Sequence, residues 1–170
     1  MLKVMGVCLI LAGAGGFGGC LRRCLNMHFG QLVECREIFT QLDAGREYLR
    51  LPYAQLLRRT ARGKKEIFAE MLFEVADEME RNRYADADAL WQMAFEKRKK
   101  QILFDEEEKT LFFALAKSLM LEGNHTQVAK MYFIQLEDKI LKAMEEKKEK
   151  QKLYGTVSMV FGLFLIILLL

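Results

Sequence analysis

The chain has 170 residues with a single proline and 52% hydrophobic content, which suits one compact domain with little unstructured linker. Its 26 basic and 23 acidic residues nearly cancel, to a net charge of +3, and they interleave finely, which excludes a phosphate-tracking nucleic-acid surface. Apart from Lys3, every Lys, Arg, Asp and Glu lies between Arg22 and Lys152, so both ends are uncharged.

Val4 to Leu21 carries no charge, and a helix of that length rises about 27 Å, close to the thickness of a bilayer core. We expect residues 1–21 to form an N-terminal transmembrane segment. Its glycines, Gly6, Gly13, Gly15, Gly16, Gly18 and Gly19, weaken a helix in water but favour close helix contact in lipid, and Gly15 and Gly19 form a GxxxG pair. Three rival readings compete here. Gly13 to Gly18 spells GxGxxG after the apolar run Val7 to Leu11, as a dinucleotide-binding loop would; no strand-turn-helix alternation follows it. Gly18-Gly19-Cys20 resembles a lipoprotein cleavage site, with Phe17 poorly suited to the position before it. Cys20, Cys24 and His28 share one helix face, but residues eight apart lie about 12 Å apart along a straight helix and cannot all reach one ion. The four cysteines, Cys8, Cys20, Cys24 and Cys35, include no CxxC pair, so neither a disulfide framework nor a zinc knuckle is indicated, and a reducing compartment is expected.

Gln31 to Arg50 reads as helix with Leu32, Cys35, Phe39 and Leu42 inward, weakened by Gly45, and a new helix begins near Pro52. Between Lys64 and Arg81 the stripe Ile67, Phe68, Met71, Leu72, Val75, Ala76 and Met79 predicts a helix with one buried face. After the turn signal Arg81-Asn82-Arg83, the stripe Ala87, Leu90, Trp91, Ala94 and Phe95 makes another, with Asp86 or Asp88 suited to its first turn. Leu111, Phe112, Leu115, Ala116, Leu119 and Met120 make a further one, opened by Asp105 to Glu108, whose charge suits the helix dipole, and closed by Gly123-Asn124. Glu106, Glu107 and Glu108 read as a solvated helix start. The last stripe, Ala129, Tyr132, Phe133, Leu136, Ile140, Ala143 and Met144, has no breaker before Gly155, so one helix is expected to continue from it into Leu153 to Leu170. Those final residues are uncharged and end in FGLFLIILLL, a run whose exposure to water would cost about 1.5–3 kcal/mol per side chain.

The expected architecture is all-α: a compact bundle of about six helices at 22–152, between terminal transmembrane helices at 1–21 and 153–170. Arg22 and Arg23 follow the first span, and Lys147, Lys148, Lys150 and Lys152 precede the second, which places the middle domain in the cytoplasm. Gly15, Gly19, Gly155 and Gly162 are the expected helix-packing positions of the spans. Phe68, Leu72, Trp91, Phe112, Leu115, Phe133 and Leu136 are the expected core. No catalytic, metal or cofactor site is expected: His28 and His125 have no partner that sequence singles out, and Gly63-Lys64-Lys65 lacks the rest of a phosphate loop.

The order of features resembles the stage III sporulation protein AB family over the whole chain. The features are an N-terminal membrane segment, Glu47-Tyr48 then Pro52, a Phe-rich helix with Phe68 and Phe73 before the Trp91 helix, a small-residue helix ending before Thr126-Gln127, and Gly155 and Gly162 ahead of the aliphatic run Leu163 to Leu170. Ala116 and Met120 stand where that family's helix usually carries glycine, and Gly123 where an aspartate is common. The resemblance implies a non-catalytic membrane scaffold of the channel-like, secretion-like complex between mother cell and forespore in endospore formation. It also implies a location in the outer forespore membrane facing the mother-cell cytoplasm, and a helical domain similar to the F-type platform proteins of type II secretion. The implied partners are the other components of the stage III complex and its ATPase, stage III sporulation protein AA; a homo-oligomer is compatible with this. Two alternatives stay open at this point: a tail-anchored helical regulator or adaptor, and a dinucleotide-binding oxidoreductase using residues 13–18.

Overall fold

The computed structural model describes residues 2–49, 51–81, 86–120 and 126–169, and among them every regular element is helical. The helices are α1 (Leu2–Leu49), α2 (Tyr53–Ala61), α3 (Glu66–Arg81), α4 (Ala87–Glu96), α5 (Glu106–Met120) and α6 (Thr126–Leu169). The chain divides into two compact units, one of Met1–Phe29 with Leu141–Leu170 and one of Gly30–Ile140.

The N-terminal segment and the stretch from Gln31 belong to one helix, since α1 runs unbroken for 48 residues through Arg22 to Gly30. Helix propagation is cooperative, and no proline interrupts the stretch, so a single glycine at position 30 costs less than ending and restarting the helix. α6 is likewise one helix of 44 residues.

In the Gly30–Ile140 unit each helix buries one stripe. α1 contributes Leu32, Cys35, Ile38, Phe39 and Leu42, all at most 1% exposed. α3 contributes Phe68, Met71, Leu72, Val75 and Ala76; α4 contributes Leu90, Trp91, Ala94 and Phe95. From α5 come Leu111, Phe112, Leu115, Ala116 and Leu119, and from α6 Ala129 and Leu136. The helix starts follow local chemistry. Pro52, with φ −53°, sets the chain up for α2, and its carbonyl accepts from the Leu56 N–H at 3.1 Å. The Asp86 side chain accepts from the Asp88 N–H and caps α4. At α5, Glu108 Oε2 accepts from the Asp105 N–H at 2.8 Å while Asp105 Oδ1 accepts from the Glu108 N–H at 2.7 Å, a reciprocal capping box. Glu108 is therefore buried rather than solvated; Glu106 and Glu107 are exposed. Asn82, Arg83, Gly123, Asn124 and His125, expected to form two of the turns, lie outside the described residues.

Candidate interaction surface

Seven aromatic rings hold the Gly30–Ile140 unit together. Phe112 is their hub, with ring centroids of Phe39, Trp91, Phe95, Phe104 and Phe113 at 5.2, 5.6, 5.6, 6.0 and 5.5 Å. Phe68 reaches Phe104 at 6.3 Å. Tilted and edge-on contacts of this kind add to the burial each ring contributes. Trp91 directs its indole N–H at the Met120 sulfur, 3.1 Å away. Of the residues read from sequence as core, Phe68, Leu72, Trp91, Phe112, Leu115 and Leu136 are buried, while Phe133 is half-buried.

Two buried polar side chains of α1 had no sequence signal, because each interrupts an apolar face without a periodic partner. Gln31 donates from Nε2 to the Gln101 carbonyl at 2.7 Å and accepts from the Leu103 N–H at 2.8 Å, clamping the segment between α4 and α5. Glu34 accepts from the Lys65 N–H at the start of α3. Next to Glu34 in the chain is Cys35, whose thiol is pushed up by burial first and then by the nearby carboxylates of Glu108 and Glu34; a thiol so placed is inert. Burial also pushes the Tyr53 phenol up.

Ion pairs join the helices at the surface. Burial opposes ionisation of Glu74, but hydrogen bonds from Lys97 and Arg98 outweigh it and hold its carboxyl below the usual range. Arg58 is held by Asp77 at 2.6 Å and Glu80 at 2.8 Å. Lys139 of α6 meets Glu107 of α5, and Arg36 of α1 meets Glu137 of α6.

α1 and α2 meet at Gly45. A β-carbon there would stand 2.2 Å from Leu56 Cδ1, so the glycine, a weak helix former, is what lets α2 lie against the α1 backbone. Beside this contact a cavity of about 430 Å³ opens to the surface, with Ala44, Tyr48, Leu49 and Arg59 among its walls.

In the other unit α1 and α6 run antiparallel, because contacts climb one helix as they descend the other. Arg22 donates to the Gln151 carbonyl at 3.5 Å, the Gln151 amide donates to Asn26 at 3.1 Å, and Lys147 Nζ lies 4.8 Å from the Phe29 ring centre. Arg22 and Arg23 are exposed; so are Lys148 and Lys152, with Lys147 and Lys150 half-buried and Lys150 paired with Glu146. The structure thus brings the six basic residues to one level of this helix pair. Gly19 is exposed with open space around it; the surroundings of Gly15, Gly155 and Gly162 lie outside what is described. Among the described residues, no helix is long and apolar enough to cross a membrane.

Residues 13–18 lie inside α1, so the GxGxxG spelling forms no strand-turn-helix loop. Cys20 and Cys24 are exposed on the same helix, and among the described residues no cluster of His, Cys, Asp and Glu could hold a metal ion.

These features define an all-helical protein whose first and last helices each pass through both of its units, with an aromatic-cored block in the middle of the chain. The family model for stage III sporulation protein AB matches residues 3–170, and the chain belongs to that family. No curated protein and no solved structure matches the chain significantly.

Proposed function

We propose that this stage III sporulation protein is a non-catalytic membrane scaffold of the complex linking mother cell and forespore. Residues 1–21 and 153–170 anchor it in the outer forespore membrane, and the helical domain faces the mother-cell cytoplasm and docks the complex's ATPase, stage III sporulation protein AA. The observation that carries this reading is the distribution of charge: all of it but Lys3 is confined to Arg22 through Lys152, between two apolar ends. The basic residues at the level where charge ceases favour the cytoplasmic side for the middle of the chain. The antiparallel course of α1 and α6 near Arg22 and Gln151 suits a chain that enters and leaves the bilayer from one face.

A domain tethered at both ends stays close to the membrane, which raises its effective concentration for a partner assembled there. A core of interlocked aromatic rings suits a rigid docking block. The test is binding of the purified full-length chain in lipid nanodiscs to the purified ATPase, together with spore counts in a deletion strain. Saturable binding and a block after engulfment are expected. Absence of binding with normal spore yield would overturn the proposal.

A further inference from the structure

We propose that the groove between α1 and α2 seats a segment of the docked partner protein that carries a large apolar side chain next to a carboxylate. The inference rests on the docking reading above and adds where, and through what chemistry, the contact is made.

The groove opens to the surface and holds about 430 Å³, a volume in the range of preformed binding clefts. Its shape depends on Gly45, which brings α2 against the bare backbone of α1 and leaves the flanking space open. Beside the polar Gln41 and Thr60, part of the rim is apolar and exposed: Tyr48 is 77% exposed and Leu49 44%. Ala44, also exposed, completes one wall. An apolar side chain entering here would remove those surfaces from water.

The sign of the partner follows from two adjacent arginines. Arg58 points to α3 and is held by two carboxylates, Asp77 and Glu80. Arg59 lines the groove and is exposed, and no described carboxylate lies within ion-pair distance of it. α2 itself, YAQLLRRTA, contains no acidic residue to answer it. A guanidinium fork beside an apolar cleft matches a carboxylate held next to an apolar side chain. Tyrosine and arginine are also the residue types that concentrate binding energy at protein interfaces. A second copy of the chain does not suit the site, because a two-fold contact through this face would bring Arg59 towards Arg59.

The experiment places the photo-reactive residue p-benzoylphenylalanine at position 48 of the full-length chain in sporulating cells, and the adduct is sequenced by mass spectrometry. The expected adduct is a segment of another protein with Asp or Glu within one helical turn of Leu, Ile, Met or Phe. Ala44→Trp, which fills the groove, and Arg59→Glu should each cut its yield about tenfold or more, the size of one charge-assisted contact. Both positions are exposed, so both variants should melt as the parent does, and Arg59→Lys should retain part of the yield. No adduct, an adduct with lipid or a second copy, a segment lacking a carboxylate, or a yield indifferent to both variants would overturn the proposal. Binding of the purified ATPase to the same variants separates the two readings. Undiminished binding to Ala44→Trp and Arg59→Glu would remove the groove and leave docking standing. No binding to the parent, with the acidic adduct persisting on another protein, would remove the ATPase and leave the groove.

Discussion

Gly45 lies inside α1, close to its C-terminal end at Leu49, where alanine is ordinarily better by up to about 1 kcal/mol. Yet the β-carbon of an alanine there would meet Leu56 Cδ1 at 2.2 Å, with Cγ and Cδ2 both at 3.2 Å, so the whole Leu56 side chain would have to move. Leu56 is 2% exposed and holds α2 to the block. Overpacking at a site of this kind costs about 1–3 kcal/mol, which outweighs the gain in helix propensity. Gly45→Ala is therefore expected to lower stability in the parent chain. In a Leu56→Ala background, itself weaker by about 2–5 kcal/mol, the clash disappears and the same substitution is expected to raise stability. Chemical denaturation of the four proteins of this double-mutant cycle checks the change of sign; a destabilisation of equal size in both backgrounds would show that Leu56 is not what the glycine accommodates.

At the scale of elements, α3 is joined to the turn after α4 chiefly through the Glu74 carboxylate, with Glu70 a longer contact to Arg98 at 3.6 Å. Glu74, half-buried, takes hydrogen bonds from both Lys97 and Arg98, and these depress its pKa despite the opposing effect of burial. A carboxyl whose folded pKa lies below its unfolded value contributes stability that is present above the unfolded pKa and lost as pH falls through the folded one. Stability should thus decline as pH drops below about 4.3, the unperturbed glutamate value, and Glu74→Gln should be less stable at neutral pH with a shallower decline in acid. Urea midpoints measured from pH 7 to pH 3 check this, and parallel curves for the two proteins would sink it.

The elements themselves were largely legible because their stripes are regular. Leu32, Cys35, Phe39 and Leu42 recur at helical spacing, as do Phe68, Met71, Leu72 and Val75, and all are buried. The Asp86 and Asp105 helix starts were legible for the same reason, since capping is a local affair. What could not be read depends on which elements meet. Gly45 looks like a weak point of a helix until Leu56, eleven positions on, is known to press against it. Glu108 looks solvated until its return to the Asp105 N–H is seen. Gln31 has no pattern at all, because its partners at Gln101 and Leu103 are 70 and 72 positions away. The groove belongs to this class: Tyr48 stands out in the sequence only as part of the Glu47-Tyr48 then Pro52 arrangement, and the cavity exists only through the approach of α2 to α1.

For the whole molecule the sharpest consequence comes from the antiparallel pairing of α1 with α6 at Arg22, Asn26, Lys147 and Gln151. It sets the N-terminal end of α1 and the C-terminal end of α6 at the same end of the pair, away from the basic residues. With that pair standing in a bilayer, reporters fused to either terminus are expected on the non-cytoplasmic side. In a chain whose four native cysteines, two of them exposed, are replaced by alanine, a thiol introduced by Lys100→Cys, an exposed turn position in the Gly30–Ile140 unit, should then react with an impermeant maleimide only after the inner face is opened. The alternatives give different patterns. A protein that rests on the membrane without crossing it would leave both reporters on the cytoplasmic side and wash off in carbonate. A chain anchored by its tail alone would place the two termini on opposite sides. The two reporters and one thiol therefore test the membrane anchoring and the helix pairing separately, and agreement of the termini on the cytoplasmic side would retain the pairing while removing the anchors.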